Sequence, residues 1–137
     1  MNNVSKHIRQ AYYDALNGIS VEVYKEDVPE GYSDHHVVIR VESETDDSNR
    51  GGFITNHIVI TDVVGVFSNS VDPDVVDDID NEIRNILLPV NGALEISASG
   101  IQIRNVRAES SSTFSEDDGT KRYFRKVTRW TQRISHS

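Results

Sequence analysis

A strand, a turn and a helix in immediate succession, Phe53 to Leu88, set the terms on which this chain can fold. From His57 to Val66 the residues are apolar and mostly β-branched, with Ile58, Ile60 and Val64 on one face of an extended segment and Val59 and Val63 on the other. Apolar residues on both faces predict a strand near the centre of a sheet. Asp72-Pro73 then supplies a helix start, Asp as N-cap and Pro in the first helical position. Asp74, Asp77 and Asp78 add negative charge where the helix dipole favours it. Val76, Ile79, Ile83, Ile86 and Leu87 recur at three- and four-residue spacing as one apolar stripe, and Pro89 ends the helix. The helix is expected to lie on the sheet.

The remaining segments are read around that pair. Val4, Ile8, Tyr12 and Leu16 predict a helix over Asn2–Leu16, closed by Asn17-Gly18 with Gly in a left-handed position. Strands are expected at Ile19–Tyr24, at His35–Ser43 with Val37, Ile39 and Val41 on one face, and at Ile101–Glu109 with a bulge near Asn105. Leu94–Ser99 is expected to be a short extended piece. The last strand is Lys121–Ile134, with Phe124, Thr128, Trp130 and Ile134 on one face and Tyr123 and Val127 on the other. Polar loops are expected at 44–52 and 110–119, and a loose tail at 135–137. The element order α–β–β–β–α–β–β predicts a single α+β domain over residues 1–137, an antiparallel sheet of about five strands with both helices on one face.

Composition narrows the chemistry. The 137 residues contain no cysteine, which excludes disulfides, thiol nucleophiles and zinc–thiolate sites. Hydrophobic content is 36% and the mean hydropathy is −0.47, which suits a small core, and no apolar stretch approaches the length of a membrane span. Charge is unevenly placed. Up to Thr120 the chain has 8 basic residues against 22 acidic ones, −14, and beyond it +6, from Lys121, Arg122, Arg125, Lys126, Arg129 and Arg133. Either this basic strand pairs internally with acidic neighbours, or it meets the acidic face of another copy.

Catalytic motifs are absent. His35 and His36 are adjacent on a strand and point to opposite faces, which does not suit a shared metal. The acidic run Asp72–Glu82 lacks the central Gly and the final Glu of a calcium loop. Glu116 and Asp117 have no apolar surroundings to raise a carboxyl pKa, and Ser110–Ser112 have no arranged His. No cofactor is expected and no enzymatic activity. Phe124 and Trp130 among basic residues make a nucleic-acid-binding module a rival reading, against which stands the acidic body.

The layout also resembles a known family. Ile8-Arg9-Gln10-Ala11 and Ala15-Leu16 in the first helix, Val21-Glu22-Val23-Tyr24 followed by Val28-Pro29, His36-Val37-Val38-Ile39, Ile58-Val59-Ile60, the helix with Ile79, Ile83 and Leu87, and Asp117-Asp118-Gly119 before Tyr123–Arg133 are similar to the phage tail-terminator or tail-completion (head–tail joining) proteins. The long apolar run Val63–Phe67 and the pronounced basic ending depart from that layout and leave room for a neck or head-completion role. The resemblance implies a virion protein made in the host cytoplasm that forms a homo-oligomeric ring, commonly a hexamer. Its partners would be the tail tube protein and a head or neck connector protein, with DNA passing through the lumen. Candidate subunit-interface residues are Arg125, Lys126, Arg129, Trp130, Arg133, Phe114, Asp117, Asp118, Asp46, Asp47 and Arg50.

Overall fold

The structure, a computed structural model, describes residues 4–30, 34–43, 53–54, 57–88, 96–98 and 101–136. It is an α+β fold. Two helices, α1 (Val4–Leu16) and α2 (Pro73–Leu87), accompany β1 (Glu22–Lys25), β2 (His36–Ser43), β3 (Phe53–Ile54), β4 (His57–Phe67), β5 (Ile96–Ala98), β6 (Ile101–Asp117) and β7 (Arg122–His136). With the two- and three-residue pieces β3 and β5 set aside, the order is the expected α–β–β–β–α–β–β.

The strands form one sheet in the order β1-β2-β4-β7-β6-β5, with β3 pairing the end of β7. The strand read as central, β4, does lie inside the sheet, antiparallel to β2 and to β7. The sheet is mixed rather than antiparallel, because β1 runs parallel to β2. β1 is only four residues long, and the chain must reverse before β2 begins in the same direction. The reversal begins at Glu26, in the left-handed region at φ 68°, whose N–H donates to the Ile39 carbonyl at 2.9 Å. Gly18, expected to be left-handed, is not. α1 ends instead in a tight turn in which Ile19 N–H reaches the Leu16 carbonyl at 3.2 Å.

Both helices cover the same sheet face. Ile8, Ala11, Tyr12 and Leu16 of α1 and Val76, Ile79, Ile83 and Leu87 of α2 share one buried cluster with Val37, Ile39, Val59, Val63, Ile103 and Trp130. Each fully buried aliphatic side chain contributes about 1.5–3 kcal/mol by transfer from water. α2 starts as its sequence requires: Asp72 caps it by accepting from Asp74 N–H at 3.0 Å, and Pro73 follows.

The expected loop at 110–119 is the largest departure. Ser110–Asp117 continues β6 and pairs residue by residue with Arg122–Arg129 of β7. Backbone pairing with a long β-rich partner outweighs the polar composition that suggested a loop. Only the turn at Asp118–Lys121 is loop, with Gly119 at φ +90° and Asp118 N–H donating to the Lys121 carbonyl at 3.1 Å. The expected bulge is present, as register shifts between Arg104 and Arg107 and between Ala108 and Ser110. Nor are Ser135 and His136 a loose tail: they extend β7, opposite Gln102 and Ile101. The loop at 44–52 and residue 137 lie outside the described residues.

Two predictions follow from this packing. A Cβ on Gly65 would come within 2.7 Å of the buried Val76 side chain and of the Phe67 ring. Gly65→Ala is therefore expected to destabilise by about 1–3 kcal/mol in urea unfolding, with α2 pushed off the sheet. Tyr12 is fully buried, its hydroxyl donating to Gln132 Oε1 at 2.9 Å, and burial pushes its pKa well above the ordinary 10. The unfolded phenol then loses its proton first, so stability is intact below pH 10 and falls above it. Unfolding at about pH 9 and about pH 11 should show that loss, and Tyr12→Phe should show less of it.

Candidate functional site

The opposite face of the sheet has no helix over it among the described residues, yet it is not open. Val38, Ile58, Ile60 and Val64 are buried there, because long charged side chains lie across them. At the centre is Asp62, in the middle of β4 and with 0% exposure. Arg40 of β2 donates Nη1–H to Asp62 Oδ2 at 2.9 Å. From the other side Arg125 of β7 donates Nε–H to Oδ1 at 3.2 Å and Nη2–H to Oδ2. Arg125 reaches on to Glu116 Oε1 at 2.9 Å, so four charges on four adjacent strands form one chain. The hydrogen bonds to Asp62 hold the Arg125 guanidinium above its ordinary pKa. One strand-end further, Arg129 pairs with Glu42 at 3.1 Å.

The helix-covered face carries a second polar cluster. Asp80 of α2 is buried and receives Arg84 Nε–H at 2.6 Å, with Lys126 Nζ at 3.4 Å. Lys126 also reaches Asp77 at 3.3 Å. Among the described residues Asp80 Oδ1 has no hydrogen-bond partner. The Arg84 guanidinium lies 5.6 Å from the Trp130 ring centroid, and Trp130 Nε1–H donates to Thr61 Oγ1 at 2.8 Å.

These contacts locate the residues singled out in the sequence. Trp130, expected at a subunit interface, is a core residue with 0% exposure, since its large apolar ring faces the helices and its one donor is satisfied by Thr61. Arg125, Lys126 and Arg129 are all paired within the chain, as the internal alternative required. Phe114 is half exposed on β6. Asp117 pairs loosely with Arg122 at 3.6 Å and accepts from Gly119 N–H at 2.8 Å. Asp118 anchors the hairpin turn. Its carboxylate accepts from the backbone N–H groups of Lys121 and Thr120 and from the Thr120 and Tyr123 hydroxyls, which lower its pKa to about 2 and raise that of Tyr123. Arg133 occupies β7 opposite Arg104, its side chain outside the described residues, as are Asp46, Asp47 and Arg50 entirely.

Sequence reading missed Asp62, Arg40, Asp80 and Arg84. Asp62 was detectable as the one charged residue inside an apolar strand, which must find partners or be excluded from the sheet. Asp80 and Arg84 stand one helical turn apart, the spacing of an ion pair.

His35 Nδ1 accepts from Val66 N–H at 3.0 Å, and His36 Nδ1–H donates to the Asp34 carbonyl at 2.8 Å, so the two adjacent histidines serve separate contacts. His35 lines a polar cleft of about 430 Å³ with Asn17, Ser20, Glu22 and Asp34, whereas His36 lines a separate cleft of about 250 Å³ over Asp62, with Arg40, Glu116, Tyr123 and Arg125. Among the described residues no three His, Asp or Glu side chains are grouped to hold a metal, and no helix is long and apolar enough to cross a membrane.

The buried carboxylate gives a direct test. Asp62→Ala leaves two guanidiniums without their partner and should cost about 3 kcal/mol, the low end for a broken buried pair because Arg40 and Arg125 retain some water. Arg125→Glu should unfold the chain more readily still, by setting a carboxylate beside Asp62, whereas Arg129→Glu, at an exposed pair, should change stability by about 1 kcal/mol or less. Thermal melts of the three variants rank these effects.

No family model matches the chain, and no curated protein matches it by sequence. Among solved structures it is similar to a chain of the virion of a native gene transfer agent particle, with a TM-score of 0.69 over 97% of this chain and 99% of that one, at 14% identity, a likeness of fold.

Proposed function

We propose that this chain is a structural virion protein of a phage-type particle, acting at the end of the tail or at the neck. The observation that carries the reading is the end-to-end likeness to a gene transfer agent virion chain, which leaves almost nothing of either chain unmatched. The tail-terminator layout seen in the sequence points to the same class of object. In this reading copies of the chain form a ring, a hexamer as in the resembled family, that stops the tail tube and presents a surface to a head or neck connector protein. DNA passes through its lumen.

The arrangement of side chains suits a building block. Charges at Asp62 and Asp80 hold the sheet together, and in the cleft over Asp62 the charged groups are already paired, Arg40 and Arg125 with Asp62 and Arg125 with Glu116. The rival nucleic-acid module loses its stacking platform, since Trp130 is buried and Phe124 only partly accessible.

Loss of the gene in its parent particle is the test. Electron microscopy of the resulting lysate should show tail tubes of uncontrolled length, or heads and tails that fail to join, and purified protein should restore infectious or transducing particles. Normal particles without the protein would overturn the proposal.

A further inference from the structure

The outer edge of β6 has a partner only at its start. β5 pairs Ile101–Ile103, and from Arg104 to Asp117 no strand lies on that side among the described residues. The two register shifts kink the first part, but Ser110–Asp117 is a regular run of eight residues, about 26 Å of open backbone. It carries none of the usual protection of an edge: no Lys, no Pro, no bulge, and charge only at its far end. Residues 109–117 are all exposed, and Phe114, at 50%, is the most exposed large hydrophobic residue described.

We infer that the Ser110–Asp117 edge is a docking strand for the same edge of a second copy, giving a continuous antiparallel β7-β6-β6-β7 sheet across a two-fold axis near Ser112. An antiparallel strand edge is self-complementary in its donors and acceptors, so each copy satisfies the other. Charge fixes the register. With Ser112 on the axis, and Glu109 the extra residue of the bulge as it is against β7, Arg107 of one copy falls opposite Glu116 of the other. Both lie on the helix-free face, as Arg107 stands opposite Thr131 and Glu116 opposite Tyr123. Arg107 is exposed and has no ion-pair partner among the described residues, while Glu116 binds Arg125 with half its side chain still accessible. The contact therefore extends the Arg40–Asp62–Arg125–Glu116 chain of charges into the second copy. Phe114 is covered by the small Ser110 and Ser112 side chains of that copy. The inference does not depend on the virion reading: a two-fold pairing of this edge is a contact additional to the head-to-tail one that would close a ring.

Sedimentation equilibrium of the purified full chain over a dilution series is the test, combined with hydrogen exchange. The expected result is a concentration-dependent dimer whose amides in Ser110–Glu116 exchange more slowly as dimer accumulates. Arg107→Glu, a surface change that leaves circular dichroism intact, should weaken the dimer about tenfold, from two repulsive contacts. The reversed pair Arg107→Glu with Glu116→Arg should restore it. A strictly monomeric chain, a dimer indifferent to Arg107→Glu, or assembly of any size that leaves those amides unprotected would each overturn the inference, whether or not the protein proves to belong to a virion.

Discussion

A carboxylate with no exposure, held between two guanidiniums, is the interaction on which this sheet depends. Asp62 stands at the middle of the central strand, on the face that no helix covers. Without Arg40 and Arg125 its burial would cost several kcal/mol, and the strand would be driven apart from its neighbours. With them, β2, β4 and β7 are cross-linked through one residue, and the arms of the two arginines roof the aliphatic side chains beneath. The sheet has two unlike roofs: apolar helices on one side and ion-paired arginines on the other. That is how a chain with only 36% hydrophobic residues buries a strand that is apolar on both faces.

The helical side depends on a subtler arrangement. Trp130 is the largest fully buried side chain, and its position is fixed by a diagonal hydrogen bond across the β4–β7 ladder to Thr61, two residues on from its opposite residue Val59, and by the Arg84 guanidinium over its ring. Arg84 in turn is oriented by Asp80, which Lys126 of β7 also approaches. The basic strand and the acidic helix thus neutralise each other inside one molecule. The +6 and −14 segments of the sequence are largely two sides of a single folded unit.

Much of this was legible beforehand, for identifiable reasons. The β4–α2 unit announced itself because Asp72-Pro73 and the 76-79-83-87 stripe are local signals, and local signals survive folding. The phase slip at Asn105 was readable because a bulge disturbs the alternation of the strand that contains it. What the sequence withheld was set by pairing between distant segments. Nothing within Ser110–Asp117 asks to be a strand; β7, lying alongside, makes it one. The parallel first strand and the Asp62–Arg125 pair, 63 residues apart, belong to the same class. Trp130 was taken for an interface because a lone tryptophan in a basic strand has no sequence mark that separates core from surface.

The place of β7 in the sheet has a consequence for how the chain comes off the ribosome. It is the last strand to be made, yet it sits between β4 and β6, in the interior of the strand order. Trp130 must find Thr61 across 69 residues, and Gln132 must find Tyr12 across 120. Until β7 has emerged, β4 has one bare edge, the buried cluster lacks its largest member, and Asp62 lacks one of its two arginines. The nascent chain therefore has to wait, open, until β7 has been made, and folding dominated by such remote pairings is intrinsically slow. Its acidic early portion, with like charges repelling while they wait, keeps those unfinished chains apart.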